Sequence, residues 1–461
     1  FTSFTPASLD PTLADRLVEH YIRTLKENPA LHDKVEFEVA ITAFDLAFDR
    51  RLEELAAAGF SAGELEAVRT AFLELTDGII CGRTISVDTE LRRVERLAEH
   101  RERVDAAYRR GELSGPAAVA ALLYHCKRYG TLPFSNLARF AFIGVIQLKG
   151  LVARGLFSQK RYDEFLASIR TVAKEFLVDL ATASREELVE KYGHLRPGTY
   201  DITSPSYHEA FESYIDLSRR PEPEELQPFN LTPDEARTIT AELASAGFSV
   251  NAEELFEFIR KAVQGRELGK FEFSRALSRA IDIIADWAES VGVSRQEASY
   301  LEIGDILALA GASAPAHLVA TLRSRVEARR NRHLITAAIH LPEVIRDRRD
   351  LYSFYLSDSR PNYITQSALT APVRKLEGID PEIEGTICLI ENADPGFDWI
   401  FSHNIAGLVT KYGGANSHMA IRCAEFGIPA AIGCGEAIFS RLERAHRIRL
   451  DCAGKTVEVV Q

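Results

Sequence analysis

The sequence predicts a mainly α-helical region followed by a small α/β domain. Two observations carry this reading. Apolar residues recur at three- and four-residue spacing from Pro11 to about Leu351, as in Leu52, Leu55, Ala56 and Phe60, or Leu255, Ile259, Ala262 and Val263. After residue 372 the period changes, and short β-like runs alternate with helical stretches.

Helix starts in the first region are marked by capping boxes. Ser61-Ala-Gly-Glu64 and Thr232-Pro-Asp-Glu235 each place a hydroxyl three residues before a carboxylate, and Pro233 suits a first helical position. The segment Lys191 to Tyr207, KYGHLRPGTYDITSPSY, interrupts the helical pattern with Gly193, Pro197-Gly198 and Ser204-Pro205, and a second loop is expected at Pro221 to Pro228. Residues 1–351 are therefore expected to form a helical domain, with two lobes meeting near 208–230. Residues 352–372, with Pro361, Asn362 and Pro372, are expected as an extended linker. The compact α/β domain follows at 373–461. Its strands are expected at 385–390, 405–410, 428–433, 447–450 and 456–460, with a turn at Asp451-Cys-Ala-Gly454.

A chain of 461 residues with 46% hydrophobic content buries a sizeable core in two to four domains. The net charge of -12 gives no basic surplus, so nucleic acid is not an expected partner. The six cysteines are widely spaced without a C-x-x-C pair, which argues against a zinc site or disulfide scaffold and for a reduced, cytoplasmic setting. The longest apolar run, around Phe140 to Ile146, is far shorter than the roughly 20 residues that span a bilayer. No membrane helix and no signal peptide is expected. The chain starts at Phe1, its only methionine is Met419, and a preceding part is expected.

The chemistry concentrates at Thr410 to Ile421, TKYGGANSHMAI, and at EFGIP from Glu425 to Pro429. This pattern predicts strand, glycine loop, helix and strand. Gly413 and Gly414 permit conformations and close approaches that a side chain forbids, and Asn416 or Ser417 can cap a helix running from about His418 to Phe426. Gly427 supplies its stop. His418 then sits in the first turn, where unsatisfied N–H groups and the helix dipole favour an anion. A neutral imidazole is an adequate nucleophile near neutral pH, and its phosphoramidate can pass the phosphoryl group onward.

Gly413 to Gly433, GGANSHMAIRCAEFGIPAAIG, resembles the phosphohistidine motif of the phosphoenolpyruvate-utilising enzymes, among them phosphoenolpyruvate synthase, pyruvate phosphate dikinase and rifampin phosphotransferase. The resemblance implies that His418 is phosphorylated, that Thr410 and Ser417 neighbour the phosphate, and that Gly413 and Gly414 form its loop. One departure stands out: Ala424 occupies the family's usual arginine position, and an arginine appears instead at Arg422. Two residues on a helix turn a side chain by about 200°, so Arg422 is no direct substitute. With only 43 residues following His418, the resemblance favours the rifampin phosphotransferase arrangement: an ATP-grasp domain, then a helical acceptor domain, then a swivelling phosphohistidine domain. It implies that ATP and Mg²⁺ bind a missing N-terminal ATP-grasp domain, in cis or in trans, and that this chain itself binds no metal.

Candidate acceptor residues are spread over the helical region. His194, Arg196 and Asp201 concentrate on one turn, where a cation can hold an anion and His194 or Asp201 can take a proton. An Arg–Asp pair locking the turn would use the same residues. Arg266, Glu267 and Lys270, with Arg275 and Arg279, can line a cleft or simply form a solvated helix face. Glu38, Thr42, Asp45 and Asp49 place oxygen-bearing side chains in an apolar stretch, and Glu38, Thr42 and Asp45 share a face if the segment is helical. A substrate-amine or amide site and a set of ion pairs are both consistent with them. Tyr129 to Arg139 reads as a polar-aromatic loop before an apolar helix. His403 and Asp394 have no feature in the sequence that separates them from surface residues. HDKVEFE and GHLRPGTYDITSP resemble family members encoded with capsule polysaccharide biosynthesis, which include an L-glutamine kinase. The resemblance thus implies a small-molecule acceptor, either an amino acid such as L-glutamine or an antibiotic hydroxyl. A phosphocarrier that serves a partner protein, or a non-catalytic scaffold, is the reading from another class.

Overall fold

The capping signals predicted from sequence mark real helix starts. In the computed structural model, Ser61 opens the helix Ala62–Ile80 and Thr232 opens Pro233–Ala246, each with its reciprocal glutamate at the third helical position. The structure describes residues 1–461 apart from 33, 216, 218–219, 221–226, 312–316, 340, 343, 354–360, 377–381 and 415–416. The expected loop at 221–228 therefore lies largely outside the described residues, as do residues 354–360 of the expected linker.

The chain divides into two compact units, each built from three stretches. The first comprises Phe1–Glu95, Gly130–Lys174 and Glu224–Phe271. The second comprises Arg96–Tyr129, Glu175–Pro223 and Glu272–Gln461. The first unit is helical around one core. Its opening helix, Pro11–Glu27, is capped by Asp10 and buries Leu13, Leu17 and Tyr21, a stripe at four-residue spacing. That stripe packs with Phe44, Phe72, Phe165, Leu243 and Ile259, all buried. Each such side chain contributes roughly 1.5–3 kcal/mol by leaving water.

The second unit combines helices with a seven-stranded sheet. Two small helical cores gather around Leu122 and Ile283 and around Val293 and Leu322. The strands are β1 (Asn362–Ile364), β2 (Ala368–Lys375), β3 (Ile387–Asn392), β4 (Gly407–Tyr412), β5 (Ala430–Ile432), β6 (Arg447–Asp451) and β7 (Thr456–Val459), in the order β1-β5-β4-β3-β2-β6-β7. β2, β3, β4 and β5 run parallel, while β1, β6 and β7 join antiparallel. The central strands are continuous apolar runs, Ile387 to Ile390 and Gly407 to Thr410 being wholly buried, as a parallel sheet covered on both faces requires. The turn expected at Asp451 to Gly454 joins β6 to β7, with Gly454 N donating to Asp451 Oδ1 at 2.7 Å.

The sheet begins inside the segment expected to be a linker. β1 pairs with β5, and β2 pairs with β6 from Ala368 to Pro372. The extended conformation was legible there; its pairing was not, because β2 buries only Ala371 fully and shows no apolar run. Among the described residues, the helical stretch Gly115–Ala153 has the length and apolarity of a membrane span, and half of its most apolar window is buried inside the protein. Among the described residues none of the six cysteines forms a disulfide, and five of them are buried.

Candidate functional site

β3, β4 and β5 are parallel neighbours, so their carboxyl ends open along one edge, the usual place for a site in an α/β sheet. At that edge β4 gives way to Gly413, whose φ is +132°. A Cβ there would stand 2.7 Å from Ala393 Cβ and 3.3 Å from Ile432 Cγ2. Glycine is therefore required by conformation and by space. Gly414 O accepts from Ser417 N at 3.0 Å, and Ser417 caps the next helix, its Oγ accepting from Ala420 N at 3.3 Å. That helix is His418–Glu425, with His418 as its first residue. The cap predicted as Asn416 or Ser417 is Ser417; Asn416 lies outside the described residues. First-turn N–H groups have no acceptor within their own helix, so the backbone at His418 offers donors and the positive end of a dipole.

Thr410 is fully buried and fixes this loop from below. Its hydroxyl donates to Tyr412 O at 3.0 Å and accepts from Gly433 N at 3.0 Å, while its carbonyl accepts from Cys434 N at 2.8 Å. One side chain thus ties the exit of β4 to the exit of β5. Lys411 pairs with Glu436 on the following helix Gly435–Leu442, holding the loop's flank.

Arg422 has a definite place. It is fully buried, its guanidinium contacts the buried carboxylate of Asp398 at 3.4 and 3.5 Å, and its Cζ lies 5.3 Å from the Phe426 ring centroid. Ala424, at the family's usual arginine position, is exposed. Arg422 lies four residues after His418 and so on the same helical face, which Ala424 does not share.

The turn carrying His194, Arg196 and Asp201 packs against the 3₁₀ helix Pro395–His403 of the sheet domain. Thr199 Oγ1 donates to Asp394 at 2.9 and 3.1 Å, and Tyr207 OH donates to Gly396 O at 3.1 Å. Gly396 meets the other backbone directly: a Cβ there would lie 1.8 Å from Arg196 O. Arg196 itself is buried, bonded to Ser278 Oγ at 2.9 Å and Ser204 O at 3.1 Å, and paired with Asp282. Its carboxylate partner is thus not Asp201, which accepts from Thr203 N and Oγ1 at 2.8 and 2.7 Å in a local turn. Asp394 caps the 3₁₀ helix, accepting from Gly396 N at 2.8 Å. A local signal for that role does exist in the sequence, since an aspartate directly before a proline fits an N-cap.

In the first unit, Val35–Val39 forms a single π-helical turn and residues 40–45 run without regular structure. The helix face expected for Glu38, Thr42 and Asp45 does not form, because Thr42 bonds back to Glu36 O at 3.0 Å and Phe44 N is held by Thr76 Oγ1 at 2.9 Å. The segment instead walls a cavity of about 750 Å³ lined by Glu38, Thr42, Asp45, Asp49, Lys149 and others. Burial pushes the Asp45 carboxyl up to about 6 and the Lys149 ammonium down. Arg266 places its guanidinium 5.4 Å from the Phe142 ring, which stacks edge-on against Phe37 of the π-turn. Lys270 and Glu267 follow on the same long helix, Ala252–Ser290. Farther along it, Arg275 bonds Lys191 O and Arg279 bonds Asp105 at 2.6 Å, so both serve packing between helices. Tyr129 and Thr131 close a second π-turn, Lys127–Thr131, before the helix Leu132–Ala153. Among the described residues no group of three or more His, Cys, Asp or Glu is placed to hold a metal ion.

A family model described as the mobile domain of PEP-utilising enzymes matches residues 382–454. Phosphoenolpyruvate synthase of Escherichia coli (strain K12) is similar to the chain, 29% identical over an alignment of 121 residues that covers 24% of this chain and 15% of that protein. The chain matches that small share of its curated relative's length. The matched segment contains the glycine loop, the Ser417 cap and the helix beginning at His418. Residues 382–454 are thus similar to the mobile domain of PEP-utilising enzymes.

Proposed function

We propose that this chain is the acceptor-binding and phosphohistidine-carrying part of a dikinase-type phosphotransferase, with His418 as the phosphorylated residue. The observation that carries the reading is the loop at the carboxyl edge of the sheet. A glycine that no other residue can replace, a threonine tethering two strand exits and a serine cap all fix the helix start at which His418 stands. In the proposed sequence an imidazole nitrogen of His418 attacks the β-phosphorus of ATP, and AMP leaves with the bridging electron pair. Water removes the γ-phosphoryl group as inorganic phosphate. The acceptor then attacks the phosphohistidine phosphorus, the N–P bond breaks, and the imidazole is regenerated. Mg²⁺ would neutralise charge on the ATP oxygens within an ATP-grasp domain in cis or in trans. The helix N-terminus would stabilise the phosphoryl oxygens while they are carried. A cytoplasmic enzyme is the setting this chemistry suits.

An amino-acid acceptor, with L-glutamine and capsule biosynthesis as the leading case, is favoured over a rifampin-type antibiotic. The cavity in the first unit supports this choice, since charged residues of both signs share its wall with apolar ones, where a large apolar drug would call for a mostly aromatic and aliphatic surface. The test is intact-mass analysis after incubation with ATP, Mg²⁺ and an active ATP-grasp part, comparing wild type with His418→Ala. One acid-labile phosphoryl group on the wild type, absent from the variant, is expected. An unmodified wild type under those conditions overturns the reading.

A further inference from the structure

The first unit leaves two opposite charges unpaired on one wall of its cavity. Asp45 accepts a hydrogen bond from Ala47 N at 3.1 Å through Oδ1, and among the described residues neither it nor Lys149 makes an ion pair. The two are close in the fold. The carboxylate of Asp45 lies against the backbone of Gly150, where a Cβ would stand 2.8 Å from Oδ2, and Lys149 is the preceding residue. The Lys149 ammonium sits 4.9 Å from the Phe37 ring centroid and so faces the π-turn side of the wall. The other cations around the cavity are already engaged: Arg51 with Glu54 at 3.0 Å, Arg50 with Glu54 at 3.8 Å and Arg154 with Glu242 at 3.7 Å.

Asp45 is half-buried and Lys149 stands exposed at the cavity's mouth with Glu38 as its nearest acidic neighbour. A half-buried carboxylate without a cation costs stability, and a protein keeps one where it meets something else. The balance of the lining narrows what that is. Five carboxylates and four cations border the space, so neither a polyphosphate nor a polyamine would find a complementary field. The volume of about 750 Å³ suits a small metabolite. The π-helical turn and the irregular buried segment beside it are the kinds of backbone irregularity that cluster at functional sites.

We propose that this cavity binds a small zwitterion, an α-amino acid, with its ammonium group on Asp45 and its carboxylate on Lys149. The raised Asp45 carboxyl is what an anion waiting for a cationic partner would show, and an incoming ammonium would return it toward its ordinary range. As a binding site the cavity stands by itself; as the seat of the phosphoryl acceptor it rests on the function proposed for His418.

Titration calorimetry on the whole chain, without ATP, tests it. The standard L-amino acids are offered one at a time at millimolar concentration. For each that binds, the amine lacking the carboxylate and the acid lacking the amine are offered as well. At least one amino acid is expected to bind, and each truncated analogue to bind about tenfold more weakly or worse. Asp45→Asn and Lys149→Gln are each expected to weaken binding by about the same factor. A merely structural Asp45 would not couple that loss to the gain in stability expected on neutralising it. Absence of binding by every amino acid, or affinity unchanged in both variants, overturns the proposal. Because no phosphoryl group takes part, that result leaves the His418 mechanism to its own mass-spectrometric test.

Discussion

The glycine loop of the sheet domain and the cavity of the helical unit treat polar groups in opposite ways. Around the loop Thr410, Arg422, Asp398 and Asp394 all have partners. Thr410 both donates and accepts, Arg422 meets Asp398, and Asp394 caps a helix while accepting from Thr199. At the cavity, Asp45 and Lys149 are left without ionic partners among the described residues. The first arrangement fixes a backbone so that a covalent step can occur at one point. The second holds charge in reserve for a molecule that comes and goes. A saturated network resists change, and an unsaturated one trades stability for binding.

Breaking the saturated network gives the largest effect. Arg422→Met leaves the buried Asp398 carboxylate uncompensated and is expected to cost about 3–5 kcal/mol, seen as a lower urea midpoint of the sheet domain. Adding Asp398→Leu is expected to recover much of that loss, since the pair would then be removed together. A full effect of Asp398→Leu on top of the first would show that the two do not interact.

The cavity predicts a change of opposite sign. Asp45 titrates near 6 in the folded chain against an ordinary 3.8, so the folded state holds its proton more tightly than the unfolded one. Its contribution to stability therefore falls as pH rises from about 4 through about 6, and above that range ionised Asp45 is a net cost of about 2–3 kcal/mol. Asp45→Asn is expected to raise the melting temperature at neutral pH and to give no advantage near pH 4. Equal curves at both pH values would remove the reserve of charge from the comparison.

The smallest effect concerns the contact between the 193–214 turn and the sheet domain. Tyr207→Phe deletes one buried hydrogen bond to Gly396 O and leaves an unpaired carbonyl, for a loss of about 1–2 kcal/mol. Thermal melts of the two proteins measure it.

Legibility in the sequence followed the range of the interactions. The capping boxes at Ser61 and Thr232, the strand-loop-helix around His418 and the stop at Gly427, whose φ is +64°, are all local and were readable. β2 escaped because its partners supply the reason for its shape: one buried alanine and a proline next to it carry no strand signal alone. The Arg196–Asp282 pair spans 86 residues, and no spacing rule reaches that far. The carboxylates of the cavity were visible as oddities in an apolar stretch. Their geometry was hidden because a π-turn and a threonine bond to Glu36 O replaced the expected helix.

Gly396 has a consequence for sorting relatives of this chain. Because its Cα lies flush on the carbonyl of Arg196, the position works as a gauge: glycine lets the two surfaces close, and any larger residue props them apart. A homologous sequence with alanine or serine at that place describes a protein whose two parts cannot seat in this way. A single letter of an aligned sequence then separates relatives that can adopt this arrangement from those built without it.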